Sequence, residues 1–472
     1  MGGNMEDVKM KCGLEIHVQI DTKSKLFCNC STNYLDAEPN TNVCPVCLGL
    51  PGAKPLPPNK KAVEVAIMVA KMLGCKIVVD EDIYFQRKHY DYPDLPSGYQ
   101  RTSTPIGVDG EFMGIGIHEV HLEEDPGQYN PSFGIVDYNR SGTPLIEIVT
   151  KPDIKSPEEA REFLKQLMTL FRYLGCLRGE GTMRADVNIS IEYMGVQGNR
   201  VEVKNVNSIK GVYKVLKYEL IRQKNIIKRG GEVKRETRAF LESQMITKAM
   251  RSKETAEDYR YIPDPDIQPI VISEKWVKEI EEKMPETPLA KKKRFVEEYG
   301  IDEEDAKVLV SDLDMAEMFE EVVKSLGVNK ENVDLAVTWI RNELRRSLQY
   351  HKVDLYESGV KAEHIVELIK LIKEGVISQK IAKEIVDLLV INRGKKMPKE
   401  LVEELGLTVI RDEDALVKAV EEAIKNNPKA VEDYLNGKKE ALNFLMGQVM
   451  RLTRGRADPK RVIELLKERL DK

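Results

Sequence analysis

Residues 13–20 read Gly-Leu-Glu-Ile-His-Val-Gln-Ile, and apolar and polar side chains alternate along this stretch without a break. Successive side chains of a β-strand point to opposite faces of its sheet, so this alternation predicts a strand that is buried on one side only. The polar side of the strand carries Glu15, His17 and Gln19. The stretch therefore predicts a sheet with one apolar face and one face rich in metal-binding groups.

Four further stretches repeat this pattern or add carboxylates to it. Residues 184–191 (Arg-Ala-Asp-Val-Asn-Ile-Ser-Ile) and 200–204 (Arg-Val-Glu-Val-Lys) alternate, and residues 121–125 (His-Leu-Glu-Glu-Asp) and 145–149 (Leu-Ile-Glu-Ile-Val) are acidic. A solvated sheet face explains any one strand taken alone. However, surface strands usually carry Thr, Lys and Glu, whereas these carry the oxygen and nitrogen ligands that Mg²⁺ attracts. Close carboxylates repel one another unless cations neutralise them, so we interpret the set as a metal–nucleotide site.

Four cysteines form two close pairs near the start of the chain. Cys28-Asn-Cys30 is followed by thirteen residues and then by Cys44-Pro-Val-Cys47. Two short-spaced thiol pairs are typical of a structural zinc site, because each pair supplies one edge of the tetrahedron of ligands. The alternative is a loop with unpaired thiols. A closed four-cysteine site has no open coordination position, so we assign it no catalysis.

The composition limits the class of protein. The chain has 472 residues, of which 42% are hydrophobic and 32% charged, and its net charge is −5. These values are typical of a globular chain of about three domains, and they exclude a uniformly basic nucleic-acid binder. No apolar run reaches the roughly 18 residues that a membrane span needs. Because the first residues are polar and charged, we expect no export signal and a location in the cytoplasm.

The pattern of the chain changes near residue 288. The earlier part is rich in β-like alternation, Gly and Pro, and the later part is helical almost throughout. Residues 284–288 (Met-Pro-Glu-Thr-Pro) contain two prolines, which end helices, and residues 392–398 contain a Gly and a Pro. The sequence therefore predicts an α+β chain with domains at residues 1–287, 288–397 and 398–472.

Motifs of several other catalytic folds are missing. The sequence contains no G-x-x-x-x-G-K-[ST] phosphate loop, no G-x-G-x-x-G turn, no G-x-S-x-G elbow and no Gly/Ser-rich amidase signature. If ATP binds to this chain, we therefore expect it on the sheet.

Several longer stretches are specific to one family. Residues 136–148 (Val-Asp-Tyr-Asn-Arg-Ser-Gly-Thr-Pro-Leu-Ile-Glu-Ile) resemble the signature of the B subunit of aspartyl/glutamyl-tRNA amidotransferase. Further motifs resemble the same family, in the family's order, at residues 13–18, 39–52, 121–125, 258–266, 444–450 and 454–459. The resemblance covers essentially the whole chain.

This resemblance implies a fold and a reaction. The implied fold is a catalytic cradle built on an antiparallel sheet like that of glutamine synthetase, followed by an all-α helical domain and a small helical tail domain. The implied reaction uses ATP and Mg²⁺ to phosphorylate the side-chain carboxylate of Asp or Glu misacylated on tRNA(Asn) or tRNA(Gln), and ammonia then gives the amide. The implied partners are an amidase (A) subunit that supplies ammonia from glutamine and a small C subunit, in a heterotrimer.

Motif matching also assigns roles to individual residues. The implied Mg²⁺ ligands are Glu15, His17, Glu123, Glu124 and Glu147. Since Glu123 and Glu124 are adjacent, they face opposite ways in a regular strand, and we expect one of them to be structural. The implied nucleotide or phosphate contacts are Arg184, Asp186, Asn188 and Lys204, and Lys88 and Arg260 are candidates for charge stabilisation. Direct catalytic roles fall to Glu15, His17, Glu147, Lys204 and Arg260, and cofactor binding to Arg184, Asp186, Asn188 and Lys88.

The end of the chain is basic. Residues 437–472 contain 10 Lys and Arg against 5 Asp and Glu, a local charge of +5. A solvated helix face explains this charge as well as an RNA contact does, and the resemblance favours tRNA. The candidate tRNA contacts are Lys438, Lys439, Arg451, Arg454 and Arg456.

Two rival functions remain open at this point. A free-standing ammonia ligase of the glutamine-synthetase type, acting on a small acid, does not need a long helical and basic arm. A non-catalytic, zinc-containing RNA-binding protein leaves the acidic strands unexplained.

Overall fold

The protein is described by a computed structural model that covers residues 8–177, 183–250, 259–407, 413–438, 440–453 and 455–470. The chain divides into two compact units, Met1–Thr287 and Pro288–Lys472. The first unit contains β-sheet and helices, and the second is helical. This arrangement confirms the predicted α+β class.

The first unit is built from seventeen strands and four helices among its described residues. The strands are β1 (Val8–Gln19), β2 (Lys76–Ile77), β3 (Asp82–Ile83), β4 (Phe85–His89), β5 (Tyr99–Ser103), β6 (Gly107–Phe112), β7 (Ile115–Glu124), β8 (Gln128–Asn130), β9 (Ile135–Asp137), β10 (Pro144–Thr150), β11 (Met183–Tyr193), β12 (Val196–Gln197), β13 (Val201–Val206), β14 (Glu236–Leu241), β15 (Ile246–Ala249), β16 (Ile262–Pro263) and β17 (Ile270–Val271). The helices are α1 (Lys60–Met72), α2 (Pro157–Tyr173), α3 (Ile209–Lys228) and α4 (Glu274–Glu281).

Thirteen of the described strands form one sheet. Its main path runs β15-β14-β13-β11-β1-β10-β7-β5-β4-β16, with β12 beside β11, β6 beside β7 and β2 beside β6. The neighbouring strands pair antiparallel except for β13 and β14, which pair parallel. The sheet is therefore antiparallel, as the resemblance implied, except at this one pair of strands. Strand β1 lies near the middle of the sheet, between β10 and β11.

The apolar face of the sheet is covered by helices. Leu14, Ile16 and Val18 of β1 are fully buried and share one hydrophobic core with α1, α2 and α3. The three helices begin where polar side chains accept hydrogen bonds from backbone N–H groups of the first turn, which satisfies donors that a helix otherwise leaves unpaired. These capping residues are Asn59, Ser156 and Ser208. Because the helices occupy the apolar face, the alternating polar side chains of the strands share the opposite face.

The second unit is a set of helices. They are α5 (Pro288–Tyr299), α6 (Glu303–Val310), α7 (Leu313–Leu326), α8 (Lys330–Ala336), a π-helical segment (Val337–Leu344), α9 (Arg345–His351), α10 (Leu355–Ser358), α11 (Ala362–Lys373), α12 (Gln379–Ile391), α13 (Pro398–Leu405), α14 (Glu413–Asn426), α15 (Pro428–Leu435), α16 (Glu440–Leu452) and α17 (Pro459–Leu470). Among the described residues, no helix has the length and apolar character to cross a membrane.

The last four helices share a small core of their own. Leu416, Val420, Leu445 and Leu466 are buried in it. Helix α13 instead contacts α11 and α12. The predicted boundary between residues 397 and 398 stays a prediction.

Candidate active site

The register of the strands brings the predicted acidic residues together on the polar face of the sheet. His17 of β1 lies opposite Glu147 of β10 on one side and opposite Arg184 of β11 on the other. Glu15 lies opposite Asp186 of β11. Directly paired residues of neighbouring strands point to the same face, about 4.5–5.5 Å apart at Cβ. The polar side chains of the alternating strands β1, β10 and β11 therefore lie on one face of the sheet.

Three side chains form a first group on this surface. His17 Nε2 lies 3.6 Å from Glu123 Oε2 and 3.6 Å from Glu147 Oε1. Potential ligand atoms of these three residues all lie within 4.8 Å of one another. Glu123 is only 1% exposed, so its carboxylate is almost completely desolvated. A cation is the natural partner for two carboxylates and an imidazole at this spacing.

The two carboxylates of this group perturb each other. Burial raises the pKa of Glu147 well above its ordinary value, and the negative charge of Glu123 raises it further. Burial also acts to raise the pKa of Glu123, but the nearby charges of His17 and Lys88 outweigh burial and lower it. The two carboxylates therefore differ in pKa, that of Glu147 lying above and that of Glu123 below the ordinary glutamate value.

Lys88 faces the same group. Its ammonium lies 4.5 Å from the centre of the Tyr259 ring. Burial acts to lower the pKa of Lys88, and the charges of Glu123 and Glu147 outweigh it and raise the pKa. Lys88 therefore lies close enough to these carboxylates for their charges to favour its ammonium form, and its predicted role in cofactor binding stays a prediction.

A pH dependence follows from the raised pKa of Glu147. If this group binds Mg²⁺, protons compete with the ion for Glu147, so we expect the affinity for Mg²⁺ to rise with pH until the pH passes the raised pKa of Glu147 and to level off above it. Calorimetric titration of Mg²⁺ at several pH values, in buffers of different ionisation heat, measures the affinity and the proton released. Glu147→Gln should abolish the release. Binding that is independent of pH and releases no proton would contradict this assignment.

A second group lies beside the first. Potential ligand atoms of Glu15, Asp186 and Glu202 all lie within 4.8 Å of one another. Burial raises the pKa of Glu15, and the charges of Asp186 and Glu202 raise it further. Asn188 Nδ2 donates a hydrogen bond of 3.1 Å to Glu15 Oε1, and Lys204 Nζ lies 3.8 Å from Glu202 Oε1. Asn188, Asp186 and Lys204 thus belong to this group.

Glu202 was not among the site residues predicted from the sequence. The residue lies between Arg200 and Lys204 in an alternating stretch, and this spacing of two places it on the same face as Lys204. On β13 it lies opposite Asn188 of β11. Its position in the alternation was the signal that could have found it.

Arg184 is anchored by a carboxylate that was also missed. Asp125 has no exposed surface on its side chain and accepts hydrogen bonds from Arg184 Nη2 and Gln19 Nε2. Arg140 Nε lies 3.6 Å from Asp125 Oδ2. The negative charge of Asp125 is the largest cause of the raised pKa of Arg184. Asp125 follows Glu123 at a spacing of two, so the same alternation indicated it.

The four cysteines of the predicted zinc site lie together. Potential ligand sulfurs of Cys28, Cys30, Cys44 and Cys47 are all within 4.8 Å of one another. Cys47 Sγ lies 3.8 Å from Cys44 Sγ and 3.9 Å from Cys30 Sγ. Sulfurs at the corners of a tetrahedron with Zn–S bonds near 2.3 Å are about 3.8 Å apart, so the spacing fits zinc.

Comparison with known proteins places these features in a family. The family model described as the GatB/GatE catalytic domain matches residues 10–278, and the model described as the GatB domain matches residues 317–470. The chain belongs to the GatB family.

Three relatives show how far the similarity extends. A GatB relative from Methanococcus maripaludis (strain C7) is 70% identical over 466 residues, which covers 99% of both chains. A second, from Methanococcus aeolicus, is 70% identical over 467 residues, covering 99% of this chain and all of its own. A third, from Methanothermobacter thermautotrophicus, is 59% identical over 461 residues, covering 98% of this chain and all of its own. Each is named as the B subunit of an aspartyl/glutamyl-tRNA(Asn/Gln) amidotransferase.

Two residues that the GatB resemblance pointed to do not join the acidic groups. Glu124 Oε1 accepts hydrogen bonds from the backbone N–H (3.1 Å) and Nη1 (3.3 Å) of Arg101. Glu124 therefore belongs to an ion-pair network on the other side of β7, and its prediction as a metal ligand is corrected because adjacent strand residues face opposite ways. Arg260 is exposed and has a left-handed backbone conformation, with φ at 43°. Its carbonyl lies 3.1 Å from His89 Nδ1.

The basic residues predicted to bind tRNA differ in their surroundings. Arg451 is exposed at the end of α16, and Lys438 is exposed with its Nζ 2.8 Å from Asp433 Oδ1. Arg456 Nη1 donates a hydrogen bond of 3.1 Å to the Gly406 carbonyl, so this side chain also supports the fold. The predictions for Lys439 and Arg454 fall outside the described residues.

Proposed function

We propose that this GatB-family chain activates the side-chain carboxylate of Asp or Glu misacylated on tRNA(Asn) or tRNA(Gln), using ATP and Mg²⁺, so that ammonia converts it to the amide. The observation that carries the proposal is the pair of acidic groups on one sheet face, His17–Glu123–Glu147 and Glu15–Asp186–Glu202. Relatives of 70% identity over the full length are named for this amidotransferase, which supports the same reaction.

The chemistry requires activation because a carboxylate has no good leaving group. A side-chain oxygen of the aminoacyl group forms a bond to the γ-phosphorus of ATP, the bond from that phosphorus to the bridging oxygen breaks, and ADP leaves. Ammonia then attacks the acyl carbon, inorganic phosphate leaves with the former carboxylate oxygen, and the nitrogen loses a proton. Phosphoryl transfer depends mainly on positioning and on cations that offset charge at the transferred group.

The residues present fit Mg²⁺, since carboxylate oxygens dominate both groups. His17, Glu123 and Glu147 would hold one ion, and Glu15, Asp186 and Glu202 a second. A bound Mg²⁺ supplies charge neutralisation at the phosphates of ATP. Lys88 adds a positive charge beside the first group, and Lys204 adds one beside the second.

We also propose a structural zinc ion at Cys28, Cys30, Cys44 and Cys47. The spacing of the sulfurs supports it. The site contains no open ligand position, so its role is to fix the loop that connects β1 to α1. Elemental analysis of the purified chain should give about one zinc per chain.

The proposed reaction needs ammonia, and this requirement indicates which partner subunits the chain has. The sequence contains no amidase signature, so we propose that a separate amidase subunit releases ammonia from glutamine and that a small third subunit completes a heterotrimer. We place the complex in the cytoplasm, where aminoacylated tRNA is used. We further propose that residues 398–472 contact the phosphate backbone of tRNA.

A salt-dependence measurement tests the tRNA contact. Arg451→Ala removes an exposed cation, so we expect weaker tRNA binding and a slope of log K against log salt that is smaller by about 1, with ATP binding unchanged. Arg461→Ala is the matched control, because Glu413 and Glu464 already bond to Arg461. Equal affinity and equal slope for Arg451→Ala and the wild type would contradict the contact. Arg456→Ala is less suitable because Arg456 also bonds to Gly406.

Reconstitution tests the proposed function as a whole. The chain is assembled with its amidase and small subunits and given ATP, Mg²⁺, glutamine and either Asp-tRNA(Asn) or Glu-tRNA(Gln). We expect amide formation that requires ATP and tRNA. Amidation of free Asp or Glu would favour the free-standing ligase, and tRNA binding without any ATP-dependent amide would favour the non-catalytic RNA-binding protein.

A further inference from the structure

Lys25 has an unusual environment. Its side chain is only 1% exposed and is among the largest fully buried side chains of the described residues. Its ammonium has three N–H donors, and three acceptors surround it: the Asn42 carbonyl at 2.8 Å, Cys47 Sγ at 3.4 Å and the Tyr138 carbonyl at 3.4 Å. Two of the acceptors are neutral carbonyls, and the third is a sulfur of the four-cysteine centre.

Among the described residues, the polar contacts of the Lys25 ammonium are these three acceptors, and none of them is a carboxylate. A buried charge is costly unless an opposite charge compensates it. A zinc ion bound by four thiolates carries a net charge of −2, which is costly to bury for the same reason. The positive charge of Lys25 and the negative charge of the thiolate centre thus compensate each other.

The Cys47 sulfur, which contacts Lys25, also receives a backbone hydrogen bond. Cys47 Sγ also accepts a hydrogen bond from the Cys44 backbone N–H at 3.1 Å, so this sulfur has two N–H donors. Hydrogen bonds to ligand sulfurs orient the ligands of a metal and stabilise their negative charge. Of the two donors, only Lys25 brings a full positive charge.

Lys25 also joins the centre to the segment at residues 138–142. Tyr138 supplies one of its acceptors, and the Leu26 backbone N–H donates to the Gly142 carbonyl at 2.8 Å. Ser141 Oγ donates to the Cys47 carbonyl at 3.0 Å. This segment leads into β10, which carries Glu147, and therefore connects the cysteine centre to the acidic sheet face.

We propose that Lys25 is the buried counter-cation of the four-cysteine metal centre and that its ammonium fastens residues 138–142 to that centre. This inference rests on the zinc site put forward above. Loss of the positive charge should weaken zinc binding directly, because the charge of the thiolate centre is then uncompensated. Loss of a partner that hydrogen-bonds to a metal ligand typically lowers metal affinity by about 10–100-fold.

The test uses the full-length chain purified from zinc-supplemented medium. Lys25→Met removes the charge and all side-chain N–H donors, whereas Lys25→Gln removes the charge and keeps a side-chain NH₂ donor. Lys23→Met is the matched control, because Lys23 is an exposed lysine two residues away. Zinc content is measured by elemental analysis while EDTA is titrated. We expect both Lys25 variants to lose half their zinc at roughly 10–100-fold lower EDTA than the wild type and Lys23→Met.

Melting temperatures separate this role from a purely structural one. Zinc stabilises the folded protein in proportion to how tightly it binds. Removal of a group that strengthens zinc binding therefore lowers the melting temperature more in the zinc-loaded protein than in the zinc-free protein. We expect this larger drop for Lys25→Met. Equal drops in both forms, or EDTA midpoints that match Lys23→Met, would overturn the inference and leave the zinc site intact. Wild-type protein without zinc would overturn the zinc site itself.

Discussion

Replacement of Glu147 by Gln is expected to reduce ATP-dependent amide formation by more than about 100-fold, since loss of an outer-shell partner of a metal ligand already costs about 10–100-fold. Gln keeps the size of the side chain and removes its charge. Glu147 lies 3.6 Å from His17 Nε2, within the first acidic group. The loss should appear in kcat, because the charge of the phosphoryl group develops during transfer. Single-turnover amidation of misacylated tRNA by the assembled complex measures it.

Two controls accompany this variant. Glu192→Gln removes a carboxylate of β11 that pairs with Lys9 at the surface, and we expect amide formation within about twofold of the wild type, since such exposed pairs contribute little. The affinity of Glu147→Gln for tRNA should be unchanged. Amide formation by Glu147→Gln at the wild-type rate would show that this carboxylate does not hold the metal.

Replacement of Asp125 by Asn is expected to destabilise the first unit by roughly 3 kcal/mol, because it leaves two guanidinium groups without their charge partner. The Asp125 side chain has no exposed surface, and those of Arg184 and Arg140 are 27% and 17% exposed. Thermal unfolding should shift by about 5–10 °C. Asp109→Asn is the control, since Asp109 is exposed and lies 3.5 Å from Lys151, and its effect should be below about 0.5 kcal/mol.

The sign of the pH dependence provides a second readout for Asp125. Burial acts to raise the pKa of Asp125, but the charges of Arg184 and Arg140 outweigh burial and lower it. A lowered pKa in the folded state stabilises the fold above the unfolded pKa of about 3.9 and loses this effect as pH falls through the lowered value. The difference in stability between the wild type and Asp125→Asn should therefore shrink below pH of about 4. A constant difference would contradict the ion-pair account.

The alternating strands explain why much of the site was predictable from sequence. A period of two fixes which side chains of one strand share a face, so residues 13–20 already placed Glu15 with His17, and residues 184–191 placed Arg184 with Asp186. What the period does not give is the order of the strands. The pairing of β1 with both β10 and β11 decides that His17 meets Glu147 on one side and Arg184 on the other. That order depends on contacts far apart in the chain.

The residues that the prediction missed or misplaced have a common physical cause. Glu124 and Asp125 are adjacent carboxylates in one acidic run, and alternation places them on opposite faces without showing which cation each one meets. Arg101 pairs with Glu124 and Arg184 pairs with Asp125, and neither pairing has a local signal in the sequence. Lys25 was missed because a single lysine near cysteines has no pattern of its own. Its role depends on burial, which only the folded chain shows.

The most direct test of phosphoryl activation follows an oxygen atom. Misacylated Asp-tRNA or Glu-tRNA carrying ¹⁸O in the side-chain carboxylate is amidated by the assembled complex with ATP and Mg²⁺, and the products are analysed by mass spectrometry. Transfer of the γ-phosphoryl group to the carboxylate predicts one ¹⁸O in each inorganic phosphate released. Phosphate without ¹⁸O, or ¹⁸O found in AMP, would contradict the account.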